Sequence, residues 1–176
     1  TASDIERRIT PKTKIVIINS PSNPTGAVYT PQALRDISDL CVARGIYLMS
    51  DEIYEKILYA GSEFVSPASF SDAARALTVT INGFSKAHAM TGWRLGYAAA
   101  DAEIVAAMSK IQDQSTSNPT SIAQAAGVEA LNGPQDSVET MRQAFQERRD
   151  YIVKALNDIP GVECLLPGGA FYVFPN

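Results

Sequence analysis

Side chains of varied chemistry lie at the ends of short apolar runs of the sequence. They supply an amide, a carboxylate, a phenol, a hydroxyl, an amine and a guanidinium. A deprotonated amine is a nucleophile and a proton carrier, whereas a guanidinium binds phosphate through two parallel hydrogen bonds. Each residue taken singly has a plain structural interpretation, as a turn, cap, core or surface residue, so only their joint placement predicts a site. The six residues are Asn23, Asp51, Tyr54, Ser85, Lys86 and Arg94.

Three apolar runs position these residues. The runs occupy residues 14–19, 46–50 and 77–81. Short, continuous apolar runs are typical of strands buried on both faces of a parallel sheet. A helix separates the first two runs, with Thr30 as its N-cap, Pro31 in its first turn and Gly45 at its end. Strand, helix and strand at this spacing predict a βαβ unit, and ligands of such sheets bind at the carboxyl ends of the strands.

The remainder of the chain is predicted to be mostly helical. A fourth apolar segment, residues 95–100, follows the third strand too closely for a parallel crossover, so we expect it to be antiparallel to its neighbour. Helical patterns of apolar residues then cover three segments. These segments are residues 104–111, 120–131 and 135–157.

These elements predict an α/β fold, a mostly parallel sheet with flanking helices. We expect residues 1–150 to be part of a large domain and residues 151–176 to start a small C-terminal α+β domain, with the helix 135–157 bridging the two. The chain begins without methionine, and residues 171–176 are typical of a strand. Because an unpaired strand edge favours aggregation, we expect the chain to be a piece of a longer protein.

Composition excludes several classes of protein. Hydrophobic residues make up 45% of the 176 residues and charged residues 19%, as in ordinary globular domains. The net charge of −4 provides no basic surface for nucleic acid or anionic lipid. Two distant cysteines and one histidine argue against a disulfide framework and a metal site, and favour a reducing cytoplasm. No apolar run is long enough for a membrane span.

The stretches that carry the six residues occur in a specific order and spacing. They are residues 19–26 (NSPSNPTG), 50–55 (SDEIYE) and 84–97 (FSKAHAMTGWRLGY). The third is the most specific, with Ser-Lys, five intervening residues and then Gly-Trp-Arg. In this order the three stretches resemble class I aminotransferases, members of the aspartate aminotransferase fold type of pyridoxal-phosphate enzymes. The resemblance covers essentially the whole chain.

The resemblance implies a catalytic role for three residues. In that family a lysine forms a Schiff base with the aldehyde of pyridoxal 5'-phosphate, and Lys86 occupies its place. The freed amine then moves the substrate proton. Asp51 matches the aspartate that pairs with the pyridine nitrogen, and Tyr54 matches a tyrosine that binds the phenolic oxygen of the cofactor.

The resemblance also implies binding roles. Asn23 matches a residue that binds the phenolic oxygen and contacts substrate, and Ser85 and Arg94 match phosphate ligands. The peptide bond between Asn23 and Pro24 is expected to be cis, as the resemblance implies. Other parts of the family site, including the arginine that binds the substrate carboxylate, fall outside this sequence, so we expect the chain alone to be inactive.

The expected activity is transamination from an amino acid, aspartate or glutamate, to a 2-oxo acid in a cytoplasmic homodimer. Residues 48–59 and 66–69 resemble bacterial aspartate aminotransferases most closely. Two alternatives share the scaffold: a pyridoxal-phosphate lyase or synthase, and the aminotransferase-like domain of a transcription regulator. A non-catalytic α/β binding domain would require Lys86 and Asp51 to be bystanders. No metal, nucleic acid or membrane is expected as a partner.

Overall fold

The computed structural model describes all 176 residues as strands of one sheet, helices around it and connecting loops. The strands are β1 (Ile15–Asn19), β2 (Tyr47–Asp51), β3 (Thr78–Gly83) and β4 (Gly96–Ala99). The helices are α1 (Ala2–Glu6), α2 (Pro31–Arg44), α3 (Asp72–Leu77), α4 (Ala102–Asp113), α5 (Ser121–Asn132) and α6 (Asp136–Asn157). Two short 3₁₀ turns cover Pro67–Ser69 and Thr91–Trp93. No helix is both long and apolar enough to cross a membrane.

The strands of the sheet have the predicted directions. Its strands lie in the order β1-β2-β3-β4, with β1, β2 and β3 parallel and β4 antiparallel to β3. In register, Asn19 lies opposite Asp51, and Asp51 lies opposite Ile81. The carboxyl ends of the three parallel strands therefore meet at one edge, as expected for a ligand site in an α/β sheet.

Helix α2 makes the crossover between β1 and β2. The hydroxyl of Thr30 accepts a hydrogen bond from Ala33 N at 3.2 Å, and Gly45 ends the helix in the left-handed conformation, at φ +61°. These caps were predicted and are confirmed. The buried face of α2 packs on the sheet, and each fully buried aliphatic side chain contributes about 2 kcal/mol. This core consists of Ile18, Leu34, Ile37, Cys41 and Leu48.

A second buried cluster joins the loop after β2 to the C-terminal segment. Its members are Tyr54, Ile57, Tyr59 and Ala170. Ala170 N donates to Ile57 O at 2.9 Å, and the Tyr59 hydroxyl donates to Ala170 O. Ala170 is fully buried and has φ +56°, a left-handed conformation that costs about 1 kcal/mol or more outside glycine. The surrounding contacts hold this strained residue in place.

Gly26 lies where the loop after β1 meets the same C-terminal segment. Its φ is +67°, and its carbonyl accepts a hydrogen bond from Gly169 N at 3.0 Å. A Cβ at this position would collide with the Pro167 side chain and lie 2.9 Å from Gly169 O. Both the backbone conformation and the space therefore require glycine.

Two features differ from the prediction. Residues 171–176 were expected to form a strand, which is wrong: their only reciprocal backbone pairing joins Glu163 to Asn176. A single bonded pair is too little for a ladder, which gains stability from successive cross-strand pairs. The short helices α1 and α3 were not predicted, since five or six residues are too few to show a helical period. The proposed division at residue 150 falls inside α6 and stays a prediction.

Candidate active site

The edge of the sheet is organised by hydrogen bonds between the ends of β1 and β2. Asn19 Nδ2 donates to Asp51 O at 3.2 Å. Asn19 Oδ1 in turn accepts a hydrogen bond from Asn23 N at 2.6 Å. The side-chain amide of Asn19 therefore holds the loop after β1 against the last residue of β2. The Asn23–Pro24 peptide bond is cis, as predicted, and Ser20–Pro21 is cis as well.

Asp51 is the last residue of β2 and is half-buried. Its Oδ1 accepts a hydrogen bond from Ile53 N at 3.2 Å, which closes the turn after the strand. This turn also aims the next functional residue, Tyr54, into the second buried cluster. The carboxylate keeps one oxygen, Oδ2, available for a ligand.

Tyr54 is 3% exposed, and its hydroxyl lies 2.6 Å from the hydroxyl of Tyr172. The Tyr172 oxygen also accepts a long hydrogen bond, 3.4 Å, from Asn23 Nδ2. Burial raises the pKa of the Tyr54 hydroxyl well above its usual range, and the hydrogen bond with Tyr172 raises it further. Tyr54 is therefore a protonated phenol at any physiological pH.

Lys86 follows β3 and is half-buried, and its amine lies near two aromatic rings. Nζ is 5.8 Å from the centre of the Tyr54 ring and 5.6 Å from the centre of the Phe171 ring. Such distances allow cation–π attraction. Lys86 Nζ forms no ion pair within the chain, so no carboxylate of the chain competes with a ligand for it.

Ser85 and Arg94 lie on the more open side of the same edge. Arg94 is exposed and has φ +51°, and its Nη1 donates to Thr91 O at 3.0 Å. The Thr91 hydroxyl donates to Ser85 O at 3.0 Å. Hydrogen bonds within the loop 85–94 therefore connect its two ends through Thr91. Arg94 also lines an open cavity of about 790 Å³ together with Asn118 and Thr120.

The structure brings the predicted residues together in two groups. Asn23, Tyr54 and Lys86 are joined through contacts with Tyr172 and Phe171, whereas Ser85 and Arg94 are joined through Thr91. Asp51 is tied to the first group by backbone register and by the turn that leads to Tyr54.

Two aromatic residues of the first group were missed by the sequence analysis. Phe171 and Tyr172 were considered only as part of the C-terminal segment. Tyr172 lies 118 positions from Tyr54 along the chain, and Phe171 is its neighbour. A pair so distant leaves no local periodicity. The only available signal is the turn sequence Pro-Gly-Gly before them, which brings the chain back to the site.

A family model described as aminotransferase class I and II matches residues 1–176, the whole chain. The chain belongs to this family. An aspartate aminotransferase from Geobacillus stearothermophilus is 53% identical over 176 residues, and an asparagine–oxo-acid transaminase from Streptococcus mutans is 48% identical over 176 residues. Each of these alignments covers 100% of this chain and 45% of the relative.

A solved structure of this aminotransferase family has the same fold. The crystal structure of the aspartate aminotransferase from Rhizobium meliloti superposes with a TM-score of 0.97 at 47% identity, covering 100% of this chain and 44% of that one. The predicted fold class and the resemblance to class I aminotransferases are therefore confirmed. The chain spans less than half the length of these relatives, which agrees with the expectation of a longer parent protein.

Proposed function

We propose that the protein containing this chain is a pyridoxal-phosphate-dependent aminotransferase in which Lys86 holds the cofactor covalently. The observation that carries the proposal is the position of the Lys86 amine. It has no ion-pair partner and lies beside the Tyr54 and Phe171 rings, at the sheet edge where Asp51 also ends a strand. Membership of the aminotransferase family supports the same assignment.

The side chains present fit pyridoxal phosphate. A free amine suits its aldehyde, and the available oxygen of Asp51 suits the protonated pyridine nitrogen. The Asn23 amide and the protonated Tyr54 hydroxyl are donors for its phenolic oxygen. An exposed guanidinium, Arg94, beside an open cavity suits the phosphate group, with Ser85 on the same loop. No group of this set needs to break an ion pair to bind.

When bound, the cofactor supplies an electron-accepting ring that stabilises negative charge at the substrate α-carbon. Lys86 Nζ, once released, takes the proton from that carbon, acting as general base. The Asp51 carboxylate holds a proton on the pyridine nitrogen and so keeps the ring electron-poor. Tyr54 and Asn23 orient the ring by donating to its phenolic oxygen. The rings of Tyr54 and Phe171 lie on one side of Lys86 and limit the positions its side chain can take.

For substrates we propose an amino acid, aspartate or glutamate, and a 2-oxo acid. Support comes from the relatives, of which several are aspartate aminotransferases and one acts on asparagine by its name. The names of these relatives agree on transamination but differ in the amino acid used. The class of reaction is therefore better supported than the identity of the amino acid that donates the amino group.

We propose further that the complete enzyme is a cytoplasmic homodimer and that this chain alone is inactive. The relatives are more than twice as long, so the rest of the protein is available to complete the site. The two cysteines, Cys41 and Cys164, are both unpaired and buried, which suits a reducing compartment. Full transamination by the isolated 176-residue chain would contradict this part of the proposal.

The test is the absorbance spectrum of the full-length protein with pyridoxal phosphate. The unsubstituted protein should show a visible band that survives removal of free cofactor, and Lys86→Ala should abolish it. The matched control is Lys110→Ala on the exposed surface of α4, which should keep the band. A Lys86→Ala protein with an unchanged band would refute the assignment of the covalent lysine.

A further inference from the structure

The hydroxyl of Tyr172 connects two residues of the candidate site. It lies 2.6 Å from the Tyr54 hydroxyl and 3.4 Å from Asn23 Nδ2. Tyr172 belongs to the C-terminal segment, whereas Asn23 and Tyr54 follow β1 and β2. Three separate parts of the chain thus place their polar atoms in one row.

The chemistry of the three groups restricts the direction of the hydrogen bonds. An amide nitrogen only donates, so Asn23 donates to the Tyr172 oxygen. Between the two hydroxyls either oxygen can donate, but each phenol has a single proton. If Tyr54 is to donate to a ligand, its own oxygen must accept the proton of Tyr172. An acceptor beyond Tyr54 therefore fixes one order: Asn23 to Tyr172, Tyr172 to Tyr54, and Tyr54 to the ligand.

We propose that Tyr172 is a positioning residue for the reaction, whose hydroxyl donates to Tyr54 and so directs the Tyr54 proton to the phenolic oxygen of the cofactor. This inference rests on the proposed function and adds to it a residue from the C-terminal segment. A hydroxyl that accepts a hydrogen bond becomes a stronger donor through polarisation. Tyr172 thus strengthens the bond that Tyr54 makes to the ligand.

Packing and burial support this role. The Tyr54 and Tyr172 rings meet edge to face, with centroids 5.7 Å apart, so the two oxygens are held by ring contacts as well as by their hydrogen bond. Burial is the largest cause that raises the pKa of Tyr54. The Tyr54 proton is therefore retained and available for donation. Phenylalanine at position 172 would keep the ring contacts and remove only the hydroxyl.

The experiment measures the pH midpoint of the absorbance change of bound pyridoxal phosphate in the full-length protein. A donor at the phenolic oxygen stabilises the deprotonated form of the bound cofactor, in which that oxygen carries uncompensated negative charge, and so lowers the midpoint. We expect Tyr54→Phe to raise the midpoint by about 1 unit or more. Tyr172→Phe should raise it by about half a unit, as expected for lost polarisation.

A double-mutant cycle separates this role from a purely structural one. In the Tyr54→Phe background, Tyr172→Phe should cause no further shift, because the hydroxyl acts through Tyr54. The matched control is Tyr151→Phe at a residue 75% exposed, which should leave the midpoint unchanged. Thermal unfolding of each variant checks that the fold is retained.

Two results would overturn the proposal: an unchanged midpoint in Tyr172→Phe, or an equal shift with and without the Tyr54 hydroxyl. Failure of the proposed function is seen separately, in the unsubstituted protein. If that protein forms no visible band with pyridoxal phosphate, both the function and the role of Tyr172 are wrong. If the band forms and only the midpoints disagree, the function stands and Tyr172 has no part in it.

Discussion

Two parts of the molecule that meet at the candidate site are packed very differently. The inner half comprises residues 15–83 with 167–172, and the outer half comprises residues 91–132. In the inner half, Ile37 and Ile57 are completely buried. In the outer half, α4 has no buried residue, and Ile111 and Ile122 are each 72% exposed.

Four of the predicted site residues, including Asn23 of the inner half, divide along the same line, whereas Ser85 and Lys86 lie in the loop between the two parts. Asp51 and Tyr54 belong to the inner half, where the strand ends and the C-terminal segment fix them, whereas Arg94 belongs to the exposed outer half. We infer that the Asp51 carboxylate and the Tyr54 hydroxyl are positioned by this chain itself. On the phosphate side, the hydrogen bonds of Arg94 and Ser85 stay within their own loop. The predictions below test this contrast.

The largest effect is expected from Asp51→Asn. The substitution keeps a hydrogen-bonding side chain and removes its charge, so it should lower kcat/KM for the proposed transamination by the full-length protein by about 10³-fold. Thermal unfolding should change little, because the backbone contacts of β2 remain. The control is Asp113→Asn at the exposed end of α4. Equal activity in the Asp51→Asn and control proteins would contradict the role proposed for the Asp51 carboxylate.

The second largest effect is expected on the free energy of unfolding, when an isoleucine is truncated in each half. Ile37→Ala removes a completely buried side chain from the α2 core and should lower the free energy of unfolding by about 3 kcal/mol. Ile111→Ala, at a position 72% exposed, should change it by less than about 0.5 kcal/mol. Urea denaturation of the full-length protein measures both. A comparable loss in both variants would show that another part of the full-length protein covers α4. The difference in packing between the two halves would then hold only for these 176 residues.

Arg94→Ala should weaken cofactor binding without disturbing the inner half. Losing charge-assisted hydrogen bonds to phosphate should raise the Kd of pyridoxal phosphate by about 10- to 100-fold. Excess cofactor should restore most of the activity. The control is Arg75→Ala, an exposed arginine of α3 that pairs with Asp72. Unaltered affinity in Arg94→Ala would mean that the phosphate is bound elsewhere.

The smallest effect concerns the pH dependence of stability through Glu52. This carboxyl is 4% exposed and accepts a hydrogen bond from the Ser66 hydroxyl at 2.7 Å. Burial raises its pKa, although the hydrogen bonds of Ser66 and Ser50 oppose the shift. A carboxyl whose pKa is raised by folding stabilises the fold fully below its unfolded-state pKa. That contribution is lost as the pH rises through the folded-state pKa.

Glu52→Gln removes this titration and keeps an oxygen for Ser66. Relative to the unsubstituted protein, the variant should therefore gain stability as the pH rises from about 4 to 8. Denaturation curves at several pH values measure the difference, with Glu63→Gln at an exposed position as the matched control. A difference that shrinks with rising pH would mean that the buried carboxyl is stabilised in its charged form.

The sequence predicted the inner half well, because its elements depend on local patterns. Continuous apolar runs place the strands within one or two residues, and Thr30 and Gly45 mark the ends of α2. The antiparallel direction of β4 followed from a connection too short for a crossover. These features depend on residues close in the chain, where burial, capping and chain length act directly.

Local sequence patterns did not predict the contacts between segments that are distant along the chain. Nothing local to Tyr172 indicates that its hydroxyl meets Tyr54, and the apolar sequence around it predicted a strand that the structure lacks. That segment is held by single contacts to the loops after β1 and β2 instead of by a neighbouring strand. Tertiary packing decides its conformation, which propensity alone does not.

The close fit at Gly26 has a consequence for protein engineering. Its carbonyl and its missing side chain accommodate residues 167–169, which are over 140 positions away. A chimera that exchanges the C-terminal segment with that of a relative would place a foreign surface against this glycine. The segment 167–172 also bonds to the loop 54–59, so the loops 22–26 and 54–59 and the C-terminal segment depend on one another. Designers who recombine members of this family should move all three pieces together or leave all three in place.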